Sequence, residues 1–224
     1  MIGQSSGRSR CREWTESVME ISSRQDTKAE LLRSAERLIA EKGLGAVSVK
    51  MITTDAGARN PSAVHYHFGS IESLIEEVFA KRYREIEAER AVRLGQVAEA
   101  DPQARLVALV EAAIGPFLEA CLEENGRVYA RFCLQFVSDP RFDYAKLIVD
   151  AGAHSFVRLS EEIIACLPHI PLARLESRMR QSFVIAMVQA VSFARAVEAG
   201  GAPLIDAAVR EAATCQAAYL SAPV

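Results

Sequence analysis

Apolar residues recur at intervals of three and four through most of the chain, the spacing of one buried helical face. Leu31, Leu32, Ala35, Leu38 and Ile39 form the first such stripe. Thr27-Lys28-Ala29-Glu30 ahead of them has the form of a capping box, and Gly43 and Gly45 follow as stop signals, which predicts a helix between Thr27 and Gly43. A shorter stripe of Met51, Ile52 and Ala56 has Ser48 as its N-cap and Gly57 to supply a left-handed turn. Asn60-Pro61 then opens another helix, since Asn is a favoured N-cap and Pro at the first position lacks only an N–H that would be unpaired there. This helix is expected to span Pro61 to Phe68. Gly69-Ser70 begins a longer one with Ile71, Leu74, Ile75, Val78 and Phe79 on one side and many charged residues on the other.

Punctuation divides the rest into further helices. Asp101-Pro102 starts one that runs towards Glu124 and is ended by Asn125-Gly126; another covers Arg127 to Ser138 and is closed by Asp139-Pro140. A third is expected over Phe142 to Leu167. Pro168 and Pro171 bracket a turn before a long helix from Leu172 to Ala199, ended by Gly200-Gly201, and Pro203 opens the last one, to about Leu220. Nine helices and no strand pattern predict an all-α fold. The penultimate helix is apolar on nearly every face, with Val184, Ile185, Met187, Val188 and Val191 outside its main stripe, so it must be covered on all sides. The last helix, with Ala207, Ala208, Ala212, Ala213, Ala217 and Ala218, permits close helix contact. Together they suggest a four-helix interface between two copies; a core pair within a monomer is the alternative.

The two short helices joined by a Gly-containing turn, within residues 48 to 70, form a helix-turn-helix unit, whose second helix enters the major groove of DNA. Thr27 to Phe79 resembles the TetR family of transcriptional repressors: the helix with Leu31, Ala35 and Leu38, the D-A-G turn at 55 to 57, and Y-H-F-G-S at 66 to 70. Three positions depart from the family pattern. There is one more residue between Gly57 and Phe68 than in the commonest spacing, Thr53 stands where Ala is usual, and Ile71 where Lys is frequent. The resemblance implies an all-helical homodimer with an N-terminal three-helix DNA-binding head and a C-terminal domain that dimerises and binds a small effector. Residues 1–24 are then a polar, flexible extension, 25–80 the head, and 81–224 the effector-binding and dimerisation domain. The partners implied are a double-stranded, palindromic operator, a second copy through the last two helices, and the effector.

Composition fits this organisation. Of 224 residues, 50% are hydrophobic, enough for a sizeable core, and the net charge is −3. Residues 1–70 hold ten Lys/Arg and eight Asp/Glu, a balance of +2, against sixteen and twenty-one in 71–224, a balance of −5. A mildly positive end on an acidic body suits contact with nucleic acid at that end only. Cys11, Cys121, Cys133, Cys166 and Cys215 are scattered and show neither a disulfide framework nor a zinc pattern. The polar, arginine-bearing first 25 residues lack the apolar core of a signal peptide, and the apolar run Phe183 to Val197 is too short and too interrupted to span a membrane, so the expected compartment is the cytoplasm.

Candidate chemistry falls at two places. On the second helix of the motif, Ser62, Ala63 and His65 are placed to approach base edges, while Tyr66 and His67 suit phosphate. The N–H groups near Gly69 and Ser70 form an anion site. Lys50 and Arg59 add charge, Thr53 a hydroxyl, and Asn60 the polar start of the helix; Phe68 is assigned to packing. The alternative for each polar position is a solvated surface residue, and for Tyr66 core packing. His65 and His67, two apart on a helix, point about 200° apart and do not chelate a metal, and no cofactor is implied. Gly3-Gln4-Ser5-Ser6-Gly7 matches the hydrolase pattern G-x-S-x-G but lacks the strand and helix that motif needs. The arginines of this terminus are either a minor-groove arm or part of a disordered tail.

In the body, Phe117, Cys121, Tyr129, Phe132, Phe136, Phe156 and Phe183 are candidate cavity walls, and Gln135, His154, Arg131 and Gln181 candidate polar groups for a ligand, against a default of core packing. His154 stands out among Ala153, Phe156 and Val157. Such a cavity suits an apolar or aromatic effector. Two rival readings are an all-helical enzyme with a helix-turn-helix-like head, for which no set of nucleophile, base and orienting group can be assembled, and a redox sensor acting through Cys121 or Cys133.

Overall fold

The computed structural model describes residues 6–98, 100–152, 154–201 and 204–223, with side chains described from residue 24 onward. Ten α-helices are present among them: α1 Ser6–Lys42, α2 Val49–Asp55, α3 Ala63–Phe68, α4 Ile71–Gln96, α5 Pro102–Ala120, α6 Glu124–Val137, α7 Tyr144–Asp150, α8 His154–Cys166, α9 Leu172–Glu198 and α10 Ile205–Ser221. No strand occurs among the described residues.

Three boundaries differ from those the sequence suggests. The capping box at Thr27 does not begin a helix, because α1 runs through it from Ser6. No Gly or Pro lies between Gly7 and Gly43, so nothing in the backbone chemistry stops a helix from extending backwards. The expected flexible extension 1–24 therefore includes helix from Ser6, while residues 1–5, Ala153, Pro203 and the side chains of Arg8, Arg10, Cys11 and Arg12 lie outside the described residues. Asn125-Gly126 does not end α5 but sits in the first turn of α6. A Cβ on Gly126 would stand 1.8 Å from the carbonyl oxygen of Ala120, so this glycine is required by the close approach of α6 to the end of α5. The helix expected over 142–167 is two helices, α7 and α8, parted at Gly152, whose φ of 81° is the left-handed geometry that ends a helix.

The head is built from α1 to α3 and the start of α4. Leu31, Ala35 and Ile39 of α1, Ile52 of α2, Val64 of α3, and Leu74 and Ile75 of α4 are all buried in one core. The body packs α5 against α10 and α8, and α6 against α9. Helix α4 runs unbroken through residue 80, where the sequence suggests the domain boundary, and so belongs to both parts.

Head and body meet at a dense joint. Phe79 of α4 stacks on Phe136 of α6 with ring centroids 4.7 Å apart, and the Tyr129 hydroxyl donates to the Phe79 carbonyl at 3.3 Å. Beside them Arg82 donates to the buried Glu36 of α1 at 3.2 Å. Burial pushes the Glu36 carboxyl above its ordinary pKa despite the opposing Arg82 charge. A carboxyl whose folded pKa is raised stabilises the fold below the unfolded pKa and loses that contribution as pH rises through the folded value. Thermal unfolding of the wild type and Glu36→Gln between pH 4 and 7 should therefore show the wild type losing ground to the variant as pH rises. A difference that stays constant with pH, or moves the other way, would refute this.

Candidate DNA-binding surface and effector cavity

Local chemistry fixes the helix-turn-helix. The Ser48 side chain accepts from the Met51 N–H at 3.3 Å to cap α2, and Gly57 at φ 61° ends it. Asn60 Oδ1 accepts from the Ser62 N–H at 2.9 Å and the Asn60 carbonyl from the Ala63 N–H at 3.0 Å. Residues 60–62 are thus a turn, and the α-helix starts at Ala63 rather than at Pro61. Gly69, at φ 80°, closes α3, and the Ser70 side chain caps α4 by accepting from the Ser73 N–H at 3.0 Å.

The face of α3 turned away from the core carries most of the candidate DNA contacts. His65 and Tyr66 are exposed, Tyr66 by 64%, as are Ser62, Lys50, Arg59, Asn60 and Gly69, while His67 and Ser70 are partly exposed; Arg59, Asn60, Tyr66 and His67 line one shallow surface depression. Two expected contacts do not survive. Ala63 is buried at the foot of α3, and Thr53 is buried with its hydroxyl donating to the Lys50 carbonyl at 3.1 Å, so neither faces outward. The Gly69 N–H is also taken, by the His65 carbonyl at 3.0 Å, and the Ser73 N–H by the Ser70 side chain, so the candidate anion site is reduced to the N–H groups of Ser70, Ile71 and Glu72.

Two cations of α1 that the sequence does not single out join this surface. Arg24 lies 5.9 Å from the centre of the Tyr66 ring, and the Lys28 ammonium 5.3 Å from that of Phe68. Burial first, and then the nearby Lys28 and Arg24 charges, hold the His67 imidazole below its usual pKa, so that it is neutral at pH 7. Helical spacing could not reveal this pairing, because it depends on the angle at which α1 crosses α3.

The body contains a cavity of about 80 Å³ between α4, α5, α6, α8, α9 and α10. About 10–15 Å³ of such space holds one water. Phe117, Tyr129, Phe156 and Phe183 line it as the sequence suggested. Cys121, Phe132 and Phe136 do not: they are buried in the adjoining core, where Phe136 stacks on Phe79 and Phe132 lies between Tyr129 and Phe136. The expected polar groups are elsewhere. Gln135 and His154 are exposed, Gln181 is exposed and bonded to the Tyr219 hydroxyl, and Arg131 pairs with Glu198 at 2.7 Å. Instead the polar groups at the wall include Tyr83 and Arg90 of α4, Ser182 of α9 and Gln216 of α10. A signal for Arg90 existed: it falls seven residues after Tyr83 and eleven after Phe79, on the apolar stripe of α4.

Neither buried thiol fits a redox sensor. Burial raises the Cys121 pKa to about 12 and that of Cys133 further, and oxidation by peroxide needs an accessible thiolate. No group of three or more His, Cys, Asp or Glu is placed to hold a metal among the described residues, and no helix among them is long and apolar enough to cross a membrane.

A helix-turn-helix head joined by one continuous helix to a cavity-bearing helical body defines a DNA-binding regulator with a separate ligand domain. Residues 31–78 match the family of bacterial regulatory proteins of the tetR type, and residues 111–222, half of the chain, match the tetracyclin repressor-like C-terminal domain. The chain belongs to the TetR family of transcriptional regulators; it binds DNA and carries a ligand-binding C-terminal domain, and it is not an enzyme. Similar solved structures include a transcriptional regulator from Rhodococcus sp. Rha1 (20% identity, 85% of this chain and 93% of that one covered, TM-score 0.47). PfmR, a TetR family regulator from Thermus thermophilus, shows 22% identity over 87% of this chain and 95% of its own, with a TM-score of 0.45. RolR in complex with resorcinol shows 18% identity, coverage of 87% and 96%, and a TM-score of 0.44. No curated protein matches the chain.

Proposed function

We propose that the protein is a homodimeric repressor in the cytoplasm that leaves a palindromic operator when a small apolar or aromatic effector enters the body. The observation that carries this reading is the dual role of α4: Ser70 and Ile71 begin it at the DNA-facing surface, and Phe79, Tyr83, Ile86 and Arg90 along it form a cavity wall. A ligand that prefers one placement of α4 changes the head it carries, which is linkage between two sites. Support for a dimer comes from the outward face of α9 and α10, where Val188 is exposed by 49% and Ala207, Thr214 and Ala218 present small side chains. Two-fold symmetry matches half-sites separated by about 34–36 Å. Gel-shift titration against the promoters of its own and neighbouring genes tests the reading. Salt-sensitive, sequence-selective binding is expected, and its absence would overturn it.

In this reading Tyr66 and His67 meet phosphate, Ser62 and His65 approach base edges, and Lys50, Arg59, Asn60 and the start of α4 at Ser70 hold the backbone. Tyr66→Ala should weaken binding to all sequences by a similar factor, whereas His65→Ala should change the preference among them by about 1–3 kcal/mol at one position. Equal behaviour of the two variants in a competition binding assay would refute the division.

A further inference from the structure

We infer that the effector presents a neutral hydrogen-bond acceptor, a carbonyl-type oxygen on an apolar body, to the paired donors Tyr83 Oη–H and Arg90 Nη2 at the α4 wall of the cavity. This rests on reading the cavity as the effector site. Arg90 is only 5% exposed, and two of its three nitrogens are committed. Nε donates to the Ala113 carbonyl at 3.2 Å, and Nη1 donates to the Tyr83 hydroxyl at 2.9 Å and to Glu87 at 2.8 Å. Nη2, with two N–H groups, donates to nothing among the described residues and is not sealed from water-sized space.

Tyr83 is in the same position. Its oxygen accepts from Arg90, its proton has no acceptor among the described residues, and burial raises its pKa to about 12, so the proton stays in place. Both residues line the cavity from the same face of α4. Elsewhere on the wall the polar groups are largely paired: Ser182 donates to Gln216 Oε1 at 2.9 Å, Gln216 Nε2 to Gln189 at 2.6 Å, and Ser160 to the Phe156 carbonyl at 2.9 Å. One N–H of Gln216 has no acceptor among the described residues, but the paired spare donors, two N–H groups of Arg90 and the Tyr83 O–H, lie together on α4.

Charge decides between a neutral acceptor and a carboxylate. Glu87 already balances Arg90, with Oε2 on the guanidinium and Oε1 accepting from the Ser155 N–H at 2.7 Å. A carboxylate would be a second anion in a buried, mainly apolar space with no further cation at the wall, which costs more than a neutral oxygen that accepts the same hydrogen bonds.

Calorimetric titration of the full chain with acetophenone, ethylbenzene and benzoate tests this, because the first two differ in the carbonyl and share nearly the same shape. Acetophenone should bind at least about tenfold tighter than ethylbenzene, the worth of one or two buried hydrogen bonds. That preference should shrink to about threefold or less in Tyr83→Phe. It should also shrink in Arg90→Lys, which keeps a cation for Glu87 while removing the fork. Equal binding of acetophenone and ethylbenzene, no binding of either, or a preference untouched by both variants would overturn the inference; benzoate binding tightest would overturn the neutral charge. A gel shift with acetophenone separates this from the regulatory reading: selective binding that leaves DNA bound refutes the effector role and leaves the recognition chemistry standing.

Discussion

Arg90→Met should destabilise the protein by about 3–5 kcal/mol, the cost of removing one partner from a buried ion pair. Met fills much of the space of the arginine stem, so the loss is not mainly one of packing. It arises because Glu87, with its side chain only 13% exposed, keeps the Ser155 N–H and loses the guanidinium that balances its charge. The Ala113 carbonyl loses a donor as well, in the part of α5 where Pro116 already interrupts the helical bond ladder. Urea unfolding read by circular dichroism measures the effect as a shift in midpoint. The double variant Arg90→Met/Glu87→Gln should recover at least half of the loss, since it removes the stranded charge. If the single variant unfolds with the wild type, or the double variant is no better than the single, the pair does not carry the energy assigned to it.

Gly126→Ala should cost about 3 kcal/mol, at the upper end of overpacking effects. Its Cβ would stand 1.8 Å from the Ala120 carbonyl oxygen and 2.3 Å from its carbon, both backbone atoms that no rotamer change can move aside. The φ of Gly126 is not positive, so the cost is one of space and not of backbone strain. Relieving the overlap means shifting the first turn of α6, which carries Tyr129, Phe132 and Phe136 of the aromatic joint only a few residues further on. For a chain of this size the melting temperature should fall by roughly 6–12 °C. A fall of under about 2 °C in a calorimetric scan would mean that the α5–α6 corner gives way freely.

Local chemistry is the part of this fold that the sequence makes legible. Ser48, Gly57, Gly69 and Ser70 set the ends of α2, α3 and α4 through hydrogen bonds and backbone geometry that span only a few residues, and those caps stand where the residue types place them. Thr27-Lys28-Ala29-Glu30 misleads for the complementary reason: a capping box marks a helix start only where the residues before it break the helix, and no Gly or Pro stands between Gly7 and Thr27 to do so. Gly126 misleads because a glycine that ends a helix and one that lets two helices touch look alike until the helices are packed. The cavity is legible only in part. Phe117, Tyr129, Phe156 and Phe183 are aromatic residues of amphipathic helices, whereas the choice of Arg90 and Tyr83 over His154 and Gln181 depends on how each helix is rotated about its axis, which distant contacts decide.

The short helix α3 divides its labour by face. Only Ala63 and Val64 of its six residues are buried, and the glycine turns at Gly57 and Gly69 that frame it lie outside those six residues. The residues that hold it in place are therefore not the exposed ones proposed to meet DNA. If Ser62, His65 and Tyr66 make the proposed contacts, substitutions there should retarget the protein to a new operator while leaving its melting behaviour nearly unchanged, so that binding specificity could diverge under selection without first accumulating a reserve of stability.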